Sequence, residues 1–131
     1  VRQTAARLDE KFDVEIIEEH HRGKRDAPSG TAARLVEVVA EARGVDSSAV
    51  VRLGRAGPDE LRTRGEIGVH SIRAGSVVGR HAVRFTSDSE ELVLAHEAFD
   101  RSAFARGAAH AIRFVHGRAP GLYDMQDVLD L

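Results

Sequence analysis

The sequence predicts an α+β fold: a mixed, largely antiparallel sheet with helices on one face and the other face left for a further partner. Three observations predict it. A β-branched, alternating segment, "FDVEIIEEHH", precedes a well-marked amphipathic helix. Three later strand candidates are separated by short turn signals. The last of these carries apolar groups on both sides, which implies helices over one face of the sheet and something else over the other.

Taken in order, Ala5, Leu8 and Phe12 recur at helical spacing, so residues 2 to 11 read as the end of a helix. The strand that follows sets Val14 and Ile16 on one face and Glu15 and Ile17 on the other, and it ends in the histidines. In "GTAARLVEVVAEARG", Ala32, Leu35, Val36, Val39 and Ala42 follow the helical period, and Gly44 supplies the stop. A short apolar piece, "AVVRL", leads into the Gly-, Pro- and Arg-rich loop "GRAGPDELRTRG". "EIGVHSIR", "VVGRHAVRFTS" and "EELVLAHEA" then read as an antiparallel meander. His81, Val83 and Phe85 share one face of the second strand; Leu92, Leu94 and His96 share one face of the third, opposite Val93 and Ala95. From Ser102 to Val115 a helix is apolar over most of its circumference, more than a free-standing helix tolerates. The tail "PGLYDMQDVLDL" reads as a loop ending in hydrophobics.

Composition bounds the function. A chain of 131 residues builds one compact core. No apolar run approaches the roughly 18 residues of a membrane span, so a membrane partner is not expected. Nineteen basic residues against twenty-one acidic ones leave no broad basic field, and nucleic acid is not an expected partner. There is no cysteine, which excludes disulfides, thiolate metal sites and cysteine nucleophiles and fits a reducing compartment. The start, "VRQTAARLDEK", has neither a signal-peptide apolar core nor an initiator Met, and the expectation is a chain cut from something longer.

Chemistry concentrates in "EEHHRGKRDAPSGTA", residues 18 to 32. A helix start exposes unpaired N–H groups and the positive end of the dipole, so Ser29, Gly30 and Thr31 offer main-chain donors and two hydroxyls to an anion. Ser29 as a plain N-cap is the alternative. Lys24 and the pair His20 and His21 bring further donors and a tunable acid to the same strand end, which favours a site for a carboxylate-bearing substrate. Metal is not expected, because neighbours on a strand point to opposite faces and His20 and His21 cannot readily share one ion. His70, His81 and His96 are assigned structural roles, and Glu18 and Glu19 diverge as solvated or salt-bridged carboxylates.

"EIIEEHHRGKRDAPSGTA" resembles the signature E-x-H-H-x-x-K-x-D-A-P-S-G-T-A of the dihydrodipicolinate reductase family, also called 4-hydroxy-tetrahydrodipicolinate reductase. The resemblance continues through "IGVHSIRAGSVVGRHAVRF", "LAHEAFDRSAFARGAAHAIRF" and "PGLYDMQDVLDL" and so covers nearly the whole chain. It implies a cytoplasmic, homotetrameric oxidoreductase of lysine and diaminopimelate synthesis. Such an enzyme moves hydride from NADH or NADPH to a cyclic imine bearing two carboxylates. His20 matches the family's acid, Lys24 the second donor, and His21, Ser29, Gly30 and Thr31 the groups that hold the substrate carboxylates. Arg80 stands where many members carry an acidic residue, away from those positions.

The family's nucleotide-binding domain begins with a Gly-rich turn, and no G-x-G-x-x-G follows a strand here. The resemblance therefore implies that residues 1–131 are the substrate-binding and tetramerisation domain, with the sheet's outer face used for assembly. Residues 102–131 would return to pack on a Rossmann-like domain that binds the cofactor, and the fragment alone would be inactive. The competing expectation is a non-catalytic assembly module whose anion-binding loop is vestigial. A metal-dependent hydrolase built on the histidines is a third.

Overall fold

The computed structural model describes all 131 residues. The chain divides into two compact units, Val1–Glu97 and Ala98–Leu131.

The first unit is organised by β1, Asp13–His20, whose alternation decides which side chains are buried. Val14, Ile16 and Glu18 point inward and are fully buried, while Asp13, Glu15, Ile17 and Glu19 line the outer face. A five-stranded sheet in the order β2-β3-β1-β4-β5 surrounds it. Here β2 is Val51–Leu53, β3 Ile67–Arg73, β4 Gly79–Thr86 and β5 Glu91–Ala98. β3 runs parallel to both β1 and β2, and β4 runs antiparallel to β1. The connection 87–90, closed by Ser87 N–H donating to the Glu90 carbonyl at 2.9 Å, is short enough only for an antiparallel β5.

The mixed sheet and the α+β class are as the sequence predicts. The meander is not: β1 lies between β3 and β4. The connection 74–78 straddles the end of β1 and bonds to it, Ala74 N–H donating to the His20 carbonyl at 3.0 Å and Arg22 N–H to the Gly75 carbonyl at 3.2 Å. A short connection gave no sign that a strand some 50 residues upstream would insert there, because non-local pairing leaves no local pattern.

Parallel pairing of β1 with β3 needs a crossover, and the helix Gly30–Arg43 provides it. In chain order this helix is α2, since α1 is Arg2–Ala5, a single turn shorter than the helix expected over residues 2 to 11. Leu8 and Phe12, beyond α1, still pack on the core. α2 buries Ala32, Val36, Val39 and Ala40 and packs on β1 and β4. Gly44 closes it in the left-handed region at φ 67°, as a Gly at that position allows. Ile67, Val69, Val83 and Phe85 complete the core from the flanking strands. "AVVRL" contributes the end of the short helix α3, Ser47–Val50, and then β2.

The outer face of the sheet is mixed in polarity. Glu15 accepts from Arg55 at 3.0 Å, from Arg62, and pairs with His70 Nε2 at 2.6 Å. It lies across Gly68 on β3, where a Cβ would fall 1.9 Å from the Glu15 carboxylate, so a side chain there would push that carboxylate out of its present place. Arg80 bridges Glu19 at 3.0 Å and Glu97 at 2.6 Å, with Ile17, Ala82, Val93 and Ala95 between the charges.

The second unit contains α4, Ser102–Val115, and α5, Met125–Leu129, in contact with each other. α4 has no buried residue, and Phe104, Ile112 and Val115 are exposed. Phe114 packs edge-on against Tyr123, and the Arg118 guanidinium stacks over Phe114 at 3.7 Å. α5 corrects the expectation of a loop to the end of the chain. Asp124 caps the Gln126 and Asp127 N–H groups, and Asp127 answers to the Asp124 N–H at 2.7 Å.

Candidate functional site

The inward face of β1 changes character at its end. Val14 and Ile16 give way to Glu18 and then His20, each two residues on and so on the same face. A fully buried carboxylate requires compensation. Glu18 receives it from β3: Arg73 Nη1 donates to Oε2 at 2.9 Å and Nη2 to Oε1 at 2.6 Å, a two-pronged pair. The Ser29 N–H donates to Oε1 at 3.1 Å, and His20 Nδ1 lies 2.6 Å from Oε2. Burial pushes the Glu18 carboxyl up, but the bonds from Arg73, Ser71, His20 and the Ser29 backbone together outweigh it and hold the group down at about 2. Glu18 is therefore ionised at neutral pH and joins β1, β3, His20 and the start of α2.

Ser29 is buried and fully engaged. Its hydroxyl caps α2 by accepting from Ala32 N–H at 3.2 Å and meets His81 Nε2, on β4, at 3.1 Å. Burial lowers the His81 pKa, and the neighbouring His20 adds to this, so at neutral pH His81 is an uncharged partner that the Ser29 hydroxyl can donate to. The His20 and His81 rings meet edge-on with centroids 5.1 Å apart. Gly79, opposite the end of β1, leaves the His20 ring its room: a Cβ there would stand 3.2 Å from Nε2.

Gly30 and Thr31 open α2 and are exposed. Being first-turn residues they have no intrahelical acceptor for their N–H groups, and the Ser29 side chain serves Ala32 instead. Two donors thus face outward at the positive end of a 14-residue helix. Lys24 is held at 2.9 Å by Asp26, whose backbone carbonyl accepts from Arg73 Nη2 at 2.6 Å, so the loop bearing Lys24 is tied to the same guanidinium. His21 sits in the turn after β1, its carbonyl accepting from Lys24 N–H at 3.0 Å.

Of the residues singled out in the sequence, His20 and Ser29 meet through Glu18, Lys24 is linked through Asp26 and Arg73, and Gly30 and Thr31 adjoin Ser29. The His21 side chain makes no hydrogen bond to this cluster. Glu18 and Glu19 do diverge, Glu19 pairing with Arg80 outside. His70 and His81 lie on opposite faces, so the three strand histidines do not cluster. Sequence reasoning missed the participation of His81 and Arg73 and the central place of Glu18. The signals were the two-residue step from Glu18 to His20 and the shared face of His81, Val83 and Phe85. Glu18, His20 and His81 offer ligand atoms within 4.8 Å of one another, a spacing a metal could use, but Arg73 already occupies both Glu18 oxygens and its charge opposes a cation there.

Fold and site define a class of protein: an α+β domain that sets a strand-end imidazole, backed by a buried carboxylate, beside an anion-receptive helix start. The chain belongs to the family described as "Dihydrodipicolinate reductase, C-terminus", whose model matches residues 1–129, which bears out the resemblance in the signature. It is 52% identical over 131 residues to the 4-hydroxy-tetrahydrodipicolinate reductase of Pelobacter propionicus, covering all of this chain and 49% of that protein. With the protein of the same name from Ruegeria pomeroyi it shares 53% identity over 130 residues, 99% of this chain and 48% of the relative. The chain thus spans about half the length of the curated relatives it matches. Among solved structures, a dipicolinate-bound dihydrodipicolinate reductase from Paenisporosarcina sp. TG-14 superposes with a TM-score of 0.62 at 29% identity, over 86% of this chain and 43% of that one. No helix is long and apolar enough to cross a membrane.

Proposed function

We propose that this chain is the substrate-binding part of a 4-hydroxy-tetrahydrodipicolinate reductase, a cytoplasmic homotetramer acting in lysine and diaminopimelate synthesis. The substrate class is a cyclic imine with two carboxylates. Dipicolinate, the ligand named for the Paenisporosarcina relative, is a small ring of the same dianionic kind and supports the reading. The observation that carries it is the helix start: the Gly30 and Thr31 N–H groups, short of acceptors, adjoin a serine that shares Glu18 with His20.

Reduction of such an imine adds one hydride and one proton, and the hydride is what NADH or NADPH supplies. The residues here do not form a dinucleotide cradle. The strand-to-helix connection 21–29 has a single glycine, Gly23, and Glu18 takes the Ser29 N–H that a phosphate would need. The reading assigns the cofactor to a preceding domain and leaves this chain inactive alone. In it, one substrate carboxylate lies on the Gly30 and Thr31 amides and the Thr31 hydroxyl. Lys24 exchanges Asp26 for the second carboxylate, with His21 alongside. Ser29 keeps its cap and holds the helix start in place. His20 gives the proton from Nε2, since Nδ1 faces Glu18, and Lys24 assists. The mixed outer face of the sheet meets other copies of the chain.

The test is His20→Gln in the full-length protein. Turnover is expected to fall by about 10²- to 10⁴-fold, the worth of a general acid, with the size of the assembly unchanged. An unaltered kcat would refute the assignment and favour a domain that serves assembly only.

A further inference from the structure

We infer that Glu18 is a positioning residue for His20: the buried, Arg73-locked carboxylate holds the imidazole by Nδ1 so that Nε2 is the nitrogen that exchanges a proton with substrate. The inference rests on the reductase reading of the site and adds to it a residue that touches no substrate.

The geometry is that of an oriented acid. Glu18 Oε2 lies 2.6 Å from His20 Nδ1 and is fully buried, so no water competes for the contact. An ionised carboxylate only accepts, which fixes the proton on Nδ1 and leaves Nε2 to give and retake the other one. When that proton has gone, the same carboxylate keeps the neutral ring in one tautomer and one orientation.

Why the carboxylate itself stays in place follows from its partners. Arg73 grips both oxygens, and the Ser29 N–H takes a further lone pair of Oε1, so a rotation about the Glu18 side chain would break three bonds together. Gly79 leaves space beside the ring, where a Cβ would stand 3.2 Å from Nε2. Arg73 also binds the Asp26 carbonyl at 2.6 Å, so the group that fixes His20 fixes the loop of Lys24 as well. A buried ion pair kept only for stability has no need of an imidazole on one of its oxygens.

Two variants of the full-length protein test this, Glu18→Gln and the double variant Glu18→Gln/Arg73→Gln, the second because the first leaves a half-buried guanidinium without its carboxylate and can fail to fold. In whichever folds, kcat is expected to fall by at least about 10-fold and by up to about 10⁴-fold, the span from partners of metal-bound imidazoles to the carboxylate behind a proton-transferring histidine, with KM changed less than about twofold. Imidazole ¹⁵N signals of His20 should report the Nδ1–H tautomer in the wild type and a mixture in the double variant. A folded variant that keeps the wild-type tautomer of His20 overturns the proposal, whatever its kcat or melting temperature. A wild-type protein without reductase turnover counts against the reductase reading alone, and the ¹⁵N signals then decide the role of Glu18.

Discussion

Acid should unfold the first unit through Glu18. Its carboxyl sits at about 2 in the folded chain against an ordinary 4.5. Between these values the unfolded chain binds a proton that the folded chain does not, so lowering the pH favours unfolding. The contribution is fully present above the ordinary carboxylate range and is lost as the pH falls from about 4.5 towards 2. At about 1.4 kcal/mol per unit, the shift is worth roughly 3 kcal/mol, a large share of the roughly 5–15 kcal/mol that holds a domain together. The assay is urea unfolding followed by circular dichroism at intervals from pH 7 to pH 2, in the wild type and in Glu18→Gln/Arg73→Gln. The wild type should lose that increment over this window. The double variant, starting from its own stability, should show a curve flatter by about the same amount, the residual slope coming from Asp26, Glu41, Asp46, Glu66 and Glu91, whose partners also hold them low. Parallel curves for the two proteins would refute the reasoning, because Glu18 would then titrate alike in both states.

Two further perturbations probe the frame of the site. Phe85→Ala removes the largest fully buried side chain and should cost about 3–5 kcal/mol in urea unfolding; a loss under about 1 kcal/mol would mean that the sheet and α2 do not meet there as described. Ser29→Ala removes the cap of α2 and should cost about 1 kcal/mol, while Ser29→Gly should recover most of it, and equal losses in both would put the effect in the His81 contact instead.

The elements with local signals were legible. α2 and α4 have the bounds their periodicity and flanking residues indicate, and Gly44 stops α2 in the left-handed conformation that glycine tolerates. The pairing of strands was not legible, since nothing in "RAGSVV" tells that β1 fills the gap between β3 and β4. α5 had a signal, Asp124 three residues ahead of Asp127, but its apolar end resembled an exposed loop. At the site, the residues from His20 to Thr31 stood out because one short segment carries them. Arg73 and His81 did not, because a cation at a strand end and a histidine in an alternating strand are ordinary until the fold brings them to Glu18 and Ser29.

The straddling connection 74–78 has a consequence for biogenesis. The signature segment leaves the ribosome more than 50 residues before its stabilising partners, with Glu18 waiting for Arg73 over a separation of 55 and Ser29 for His81 over 52. Until both later strands have docked around the first, a naked carboxylate and two imidazoles lie in water without a pocket. The assembled cluster is thus a late product of synthesis, and a nascent chain halted before position 81 has the motif without its architecture.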